Sequence, residues 1–160
     1  MRFMGLDFGA KSIGIALSDE TGLIASPRET LRRASLEKDI QHLTELARQE
    51  GVEEILVGMP FSLDGSEGPQ AKKVWAFIHA LQQGSGIHVT PWDERLSTVA
   101  AQRALLEGNV SRARRKKVVD QVAAAIVLQG YLDYRNQKFP EEAQDSHKHR
   151  TPGKPGKDDV

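Results

Sequence analysis

The chain has 160 residues, with 22 Lys or Arg against 22 Asp or Glu and no Cys. That length predicts one domain, with or without a tail, whose core needs no disulfide or structural metal; the missing Cys excludes thiolate zinc sites and Cys nucleophiles. No apolar run nears the ~20 residues that cross a bilayer, and Asp7 and Lys11 interrupt any signal-peptide core, so a cytoplasmic setting without membrane attachment is expected.

In chain order, RFMGLDFG is short, apolar and ended by Gly, which predicts a buried strand. After the AKS turn, Ile13, Ile15 and Leu17 alternate with Ser12, Gly14, Ala16 and Ser18, the pattern of a second strand in a hairpin with the first. Its glycines leave room for close approach by a strand or ligand. A turn at Asp19–Gly22 leads to a third strand expected from Leu23 through Thr30, with Pro27 confining it to an edge or a bulge. Ser35 caps a predicted helix with a stripe of Leu36, Ile40, Leu43 and Ala47, stopped by Gly51. EEILVGMP is a fourth strand, and the loop FSLDGSEG follows it. Pro69 opens a helix with Ala71, Val74, Trp75, Ile78 and Leu81 on one face, closed by Gly84 and Gly86. IHVTPW makes a fifth strand, Ser97 caps a helix ending at Gly108, and a final helix runs from about Val118 to Tyr134. Three meandering strands followed by alternating helices and strands predict an α/β fold, a mixed five-stranded sheet with helices on both faces.

The balanced charge is unevenly spread. Arg112 to Lys117 read RARRKK, five bases in six residues. The last twenty residues hold five acids, four bases and almost no aliphatic side chains, too little apolar area to offset the entropy of ordering. The expected organisation is a folded domain over 1–138 and a disordered polar tail over 139–160.

Three places carry carboxylates that interrupt structured elements. Asp7 lies in the first strand, Asp93 and Glu94 where the fifth ends, and Asp120 in the first turns of the last helix, on a stripe with Ala123, Ala124 and Val127. Functional sites in α/β sheets gather at the carboxyl ends of strands. Acids from a strand, a strand end and a helix can converge on Mg²⁺ or Mn²⁺, which take oxygen ligands and substrate phosphates. Two such ions ~4 Å apart serve phosphodiester hydrolysis. Each acid also has an ordinary explanation: Asp7 as a turn former, Glu94 as a solvated group or a partner of Arg95, Asp120 as a helix-dipole acid. RARRKK is either a solvated face or a phosphate-backbone contact beside Asp120. The loop holding Ser62, Asp64 and Ser66 is either a phosphate cradle or a plain connection. Trp75, Trp92 and the Phe residues are expected in the core, and the His residues show no metal-ligand spacing.

Four segments in order, GLDFGAKSIGIALSD, VGMPFSLDGSEGPQA, PWDERLST and VVDQVAAAIVLQGYL, resemble the YqgF/RuvX family across about Met1 to Tyr134. The resemblance implies a ribonuclease-H-like fold and a metal-dependent nuclease with Asp7, Glu94 and Asp120 as its acidic triad. The strand ending at Met59 lacks the acid that related RuvC-type resolvases carry there, so the DER segment would supply it through Glu94, with Asp93 as second candidate. Lys11, Arg95, Arg112, Arg114, Arg115, Lys116 and Lys117 would hold phosphates. The implied substrate is the 5′ end of the small-subunit rRNA precursor. The rival is a four-way DNA junction, cut by a homodimer; a monomer is as compatible with the sequence. Two readings of other classes are a non-catalytic RNA-binding assembly factor and a sugar-kinase-like or actin-like ATP binder, for which the chain is short.

Overall fold

The computed structural model describes residues 1–62, 64–96 and 112–138, without the side chains of Arg95 and residues 112–118. Five strands, β1 (Arg2–Phe8), β2 (Ser12–Ser18), β3 (Ala25–Arg32), β4 (Val52–Met59) and β5 (His88–Asp93), form one sheet in the order β3-β2-β1-β4-β5. The β1–β2 and β2–β3 pairs are antiparallel, whereas β4 lies parallel to β1 and β5 parallel to β4. The mixed five-stranded α/β sheet is therefore as the sequence predicts.

Alternation along the strands divides the core into two layers. Met4, Leu6, Ile13, Ile15, Ile55 and Val57 point to one face, under helices α1 (Leu36–Gln49) and α2 (Pro69–Ser85). Phe3, Ala16 and Leu56 point to the other, where α3 (Arg112–Lys138) lays Ala124, Leu128 and Leu132 on them. The helix ends follow the sequence signals: Ser35 accepts a hydrogen bond from the Lys38 amide at 3.1 Å, Pro69 opens α2, and Gly86 closes it in the left-handed region at φ 71°. Leu36 is exposed at the first position of α1, so the core-facing stripe begins at the partly buried Ile40 and continues through the buried Leu43, Leu46 and Ala47. Among the described residues, no helix is long and apolar enough to cross a membrane.

Two elements start more than one residue away from expectation, and both also run past their expected ends, to Arg32 and to Lys138. The third strand starts at Ala25 and not at Leu23, because the Asp19 carboxylate accepts hydrogen bonds from the Leu23 and Ile24 amides, each at 2.9 Å, and holds both residues in the turn. Pro27 sits on this edge strand beside a bulge: Ile15 pairs with Glu29 and Ala16 with Pro27, leaving Arg28 as the extra residue. The last helix begins at Arg112, six residues before the predicted start, so RARRKK forms its opening turns. Ala, Arg and Lys are good helix formers, and neither Gly nor Pro breaks the run into Val118. The helix expected over Ser97–Gly108 and the tail over 139–160 lie outside the described residues.

Candidate active site

Asp7 shares the α3 face of β1 with Phe3, a member of the core layer beneath α3, and with Gly5, whose added Cβ would stand 2.6 Å from the Leu128 Cβ. Its cross-strand partner is Gly14 of β2, so the two residues look toward the same side of the sheet. A Cβ on Gly14 would stand 1.9 Å from the Asp120 carbonyl oxygen and 2.3 Å from its carbon. Only a residue without a side chain lets the α3 backbone rest there. Asp120 is the ninth residue of α3 and half-buried. That position removes the helix-dipole explanation, which acts within the first turn. The Ser12 hydroxyl, on the same face of β2, donates to Asp120 Oδ2 at 2.5 Å.

Glu94 meets the sheet on the other side of β1, over β4. It opens a short 3₁₀ turn (Glu94–Leu96) that continues β5. A Cβ on Gly58 would lie 2.6 Å from Glu94 Oε1 and 3.2 Å from its Cδ. Gly58 is two residues beyond Leu56, hence on the α3 face of β4. The β1–β4 register runs to the pair Leu6–Val57, and one further step sets Asp7 level with Gly58. Asp7 is thus flanked by two glycines on neighbouring strands, Gly14 beneath the Asp120 backbone and Gly58 beneath the Glu94 carboxylate. Adjacent strands lie ~4.8 Å apart, which sets the spacing between these positions.

The register also separates Glu94 from Asp93. Asp93 pairs with Met59, whose side chain enters the α1–α2 layer, so its strand position belongs to the opposite face. Trp92 pairs with Gly58 and packs half-buried with Ala123 and Val127, and Phe3 and Phe77 are fully buried, as core residues. Lys11 is exposed in the β1–β2 turn, at the sheet edge where Ser12 meets Asp120. Its carbonyl accepts the Arg33 amide at 2.9 Å, while Arg33 Nη1 donates to the Gly9 carbonyl at 3.2 Å and its guanidinium lies 4.4 Å from the Phe8 ring centre. The turn that carries Lys11 is thereby tied to the start of α1, because Arg33 Nε also lies 3.6 Å from the buried carboxylate of Asp39.

In the loop after β4, the Ser66 amide and hydroxyl both donate to Asp64 Oδ1, at 2.9 and 2.7 Å, and the Ser62 amide donates to the Ser66 carbonyl at 3.0 Å. These donors close the loop on itself, and an anion there would face the Asp64 carboxylate. The side chains of Arg95, Arg112, Arg114, Arg115, Lys116 and Lys117 are not among those described; the backbone sets the last two one helical turn ahead of Asp120.

Among the described residues, no three His, Cys, Asp or Glu side chains stand close enough to enclose a metal ion by themselves. The donor set nevertheless suits Mg²⁺ or Mn²⁺. It offers only hard oxygen donors, and Mg²⁺ is ordinarily held by one or two carboxylates completed by water and substrate phosphate, not by an all-protein cage. The space left by the two missing side chains is taken at Gly14 by the Asp120 backbone and at Gly58 by the Glu94 carboxylate.

A family model described as "RuvX: Holliday junction resolvase" matches residues 1–134. The chain belongs to the RuvX family. Curated relatives named "Putative pre-16S rRNA nuclease" include one from Symbiobacterium thermophilum, 55% identical over 141 residues that cover 88% of this chain and 98% of the relative. Another, from Moorella thermoacetica, is 55% identical over 133 residues, covering 83% and 95%. Among solved structures, Thermus thermophilus RuvC in complex with a Holliday junction substrate shares the fold of this RuvX chain, with a TM-score of 0.56 at 16% identity over 84% of this chain and 95% of RuvC. Sequence reasoning on this RuvX chain missed Ser12 and Gly58. The signal for Ser12 was its place in the alternation with Gly14; Gly58 had none without the strand register.

Proposed function

We propose that this RuvX-family chain is a metal-dependent nuclease that hydrolyses phosphodiester bonds in structured RNA, trimming the 5′ end of the small-subunit ribosomal RNA precursor. The observation that carries the reading is the pair of glycines flanking Asp7, each giving its space to a second acidic residue. Family membership and the names of relatives about 50% identical support the nuclease class and the RNA substrate.

In this reading Asp7, Glu94 and Asp120 hold Mg²⁺ or Mn²⁺, two ions in the working enzyme. Such ions, when bound, lower the pKa of water and stabilise the charge that develops on the leaving oxygen. The chain's own contribution is placement. Asp7 is fixed in the central strand of the sheet, paired with Gly14 of β2, and its neighbour Leu6 is paired with Val57 of β4. Glu94, carried by the turn beyond β5, meets the ions and orients the attacking water. Asp93, assigned by register to the opposite face, is left out. Lys11 at the sheet edge, Arg95 beside Glu94, and Arg112, Arg114, Arg115, Lys116 and Lys117 in the opening turns of α3 bind phosphates flanking the scissile bond, which fixes the strand without reading its sequence.

The test offers the protein precursor 16S rRNA, unstructured single-stranded RNA and a four-way DNA junction, each with Mg²⁺ or Mn²⁺. Cleavage of the precursor near the mature 5′ end, with little cutting of the others, is expected. Preferred cutting of the junction would transfer the reading to Holliday junction resolution, the activity in the family description. Binding of RNA without cleavage by either metal would make the protein an assembly factor.

A further inference from the structure

The Ser12–Asp120 contact joins the candidate acidic site to a residue outside it. Asp120 is carried by α3, and two contacts define how it meets the sheet. Its backbone carbonyl rests on Gly14, which fixes the height of the helix over β2. Its side chain meets Ser12, the next residue on that face of β2. Ser12 is itself held on both sides: its carbonyl accepts the Gly9 amide at 2.9 Å across the β1–β2 turn, and it pairs with Arg32 of β3. A hydroxyl has a single proton to donate, and here that proton goes to Asp120 Oδ2.

We infer that Ser12 is a positioning residue for metal binding: its hydroxyl occupies one oxygen of Asp120, fixes the carboxylate rotamer, and leaves the other oxygen to coordinate an ion shared with Asp7. The inference rests on the nuclease reading of the site. Hydrogen bonds to ligating carboxylates orient them, and losing one weakens metal affinity by about 10–100-fold. A threonine keeps the hydroxyl and suits a strand. An alanine removes only the donor.

The experiment measures Mn²⁺ binding directly, by electron paramagnetic resonance of the free ion, for the parent, Ser12→Ala and Ser12→Thr, with metal-free thermal midpoints as the folding control. Manganese dependence of RNA cleavage is recorded in parallel. Ser12→Ala is expected to bind Mn²⁺ at least about 10-fold more weakly, with its metal-free midpoint near that of the parent, and Ser12→Thr to recover most of the affinity. Cleavage by Ser12→Ala should return at high Mn²⁺. Unchanged affinity in Ser12→Ala would overturn the inference. So would tighter binding, which would make the hydroxyl a restraint on Asp120, or equal loss in Ser12→Thr, which would make the effect one of packing. A parent that binds no Mn²⁺ at Asp7 and Asp120 contradicts the metal reading itself. A parent that binds Mn²⁺ but cuts no RNA contradicts only the proposed function.

Discussion

The carboxylate of Glu94, carried by the turn beyond β5, lies in the space that a side chain on Gly58 of β4 would fill. One strand supplies the vacancy and its neighbour supplies the acid. That relationship explains how a sheet whose fourth strand ends in Gly58 and Met59 still presents an acid over β4 at its carboxyl edge.

Gly58→Ala tests this arrangement. The added methyl meets the far end of a flexible side chain, so Glu94 can swing aside, and the cost in stability should stay within about 1 kcal/mol. Activity should fall by about 10²-fold, since displacing a reacting group by about 1 Å costs that much. A thermal melt with a cleavage assay reads both quantities.

Gly14→Ala should behave in the opposite way. Its methyl would meet the Asp120 backbone at 1.9 Å, and a helix carbonyl cannot turn away. Overpacking of this kind costs about 1–3 kcal/mol or more, and α3 must lift from β2. Urea unfolding should show a clear loss of stability together with loss of activity. The contrast between two Gly-to-Ala changes, one costly in fold and one in function, is the discriminating result.

The Asp19 turn predicts a stability change in acid. Partial burial pushes the Asp19 carboxyl upward, but hydrogen bonds from Ile24, Thr21 and Leu23 outweigh it and bring its pKa from 3.8 down to about 2. A depressed carboxylate pKa stabilises the fold above the unfolded value, and that stabilisation fades as pH drops from near 4 toward 2. The group is exposed, so solvent screening reduces its worth to about 1 kcal/mol. Asp19→Ala should therefore melt below the parent at pH 7, with the gap closing between pH 4 and pH 2.

Reversing charge at Arg114 and Arg115 should weaken RNA binding uniformly across sequences. It should also flatten the dependence of binding on salt by about one unit of log–log slope for each phosphate no longer neutralised. Filter binding between about 50 and 200 mM salt measures it. An unchanged slope would return the opening turns of α3 to a solvated face.

Periodicity carried most of the fold. The β1–β2 hairpin, the edge position of Pro27, the Ser35 cap and the glycine at the end of α2 were all legible, because each is a local decision made by neighbouring residues. Leu23 and Ile24 do not join the strand their apolar character suggests, because the Asp19 carboxylate, four and five residues earlier, captures their amides. The start of α3 was hidden because charge in RARRKK reads as a solvated or phosphate-binding run ahead of the helix, although its helix propensity is high. For the site, Asp7, Glu94 and Asp120 stood out as acids in structured elements, and Gly14 as room for close approach. Gly58 and Ser12 did not, since their meaning depends on register and on a helix more than a hundred residues away. The tie between Glu94 and β4 is tertiary, and no spacing in the sequence encodes it.

If Asp7 anchors a metal-dependent active site on RNA, its carboxylate is indispensable to cutting and dispensable to folding. The most direct measurement compares Mn²⁺-dependent cleavage of precursor 16S rRNA by the parent, Asp7→Asn and Glu94→Gln, with RNA affinity and thermal midpoint recorded for each. The parent should cleave, both variants should lose cleavage, and both should fold and bind RNA much as the parent does. Variants that cut the precursor as fast as the parent would contradict the metal-site assignment.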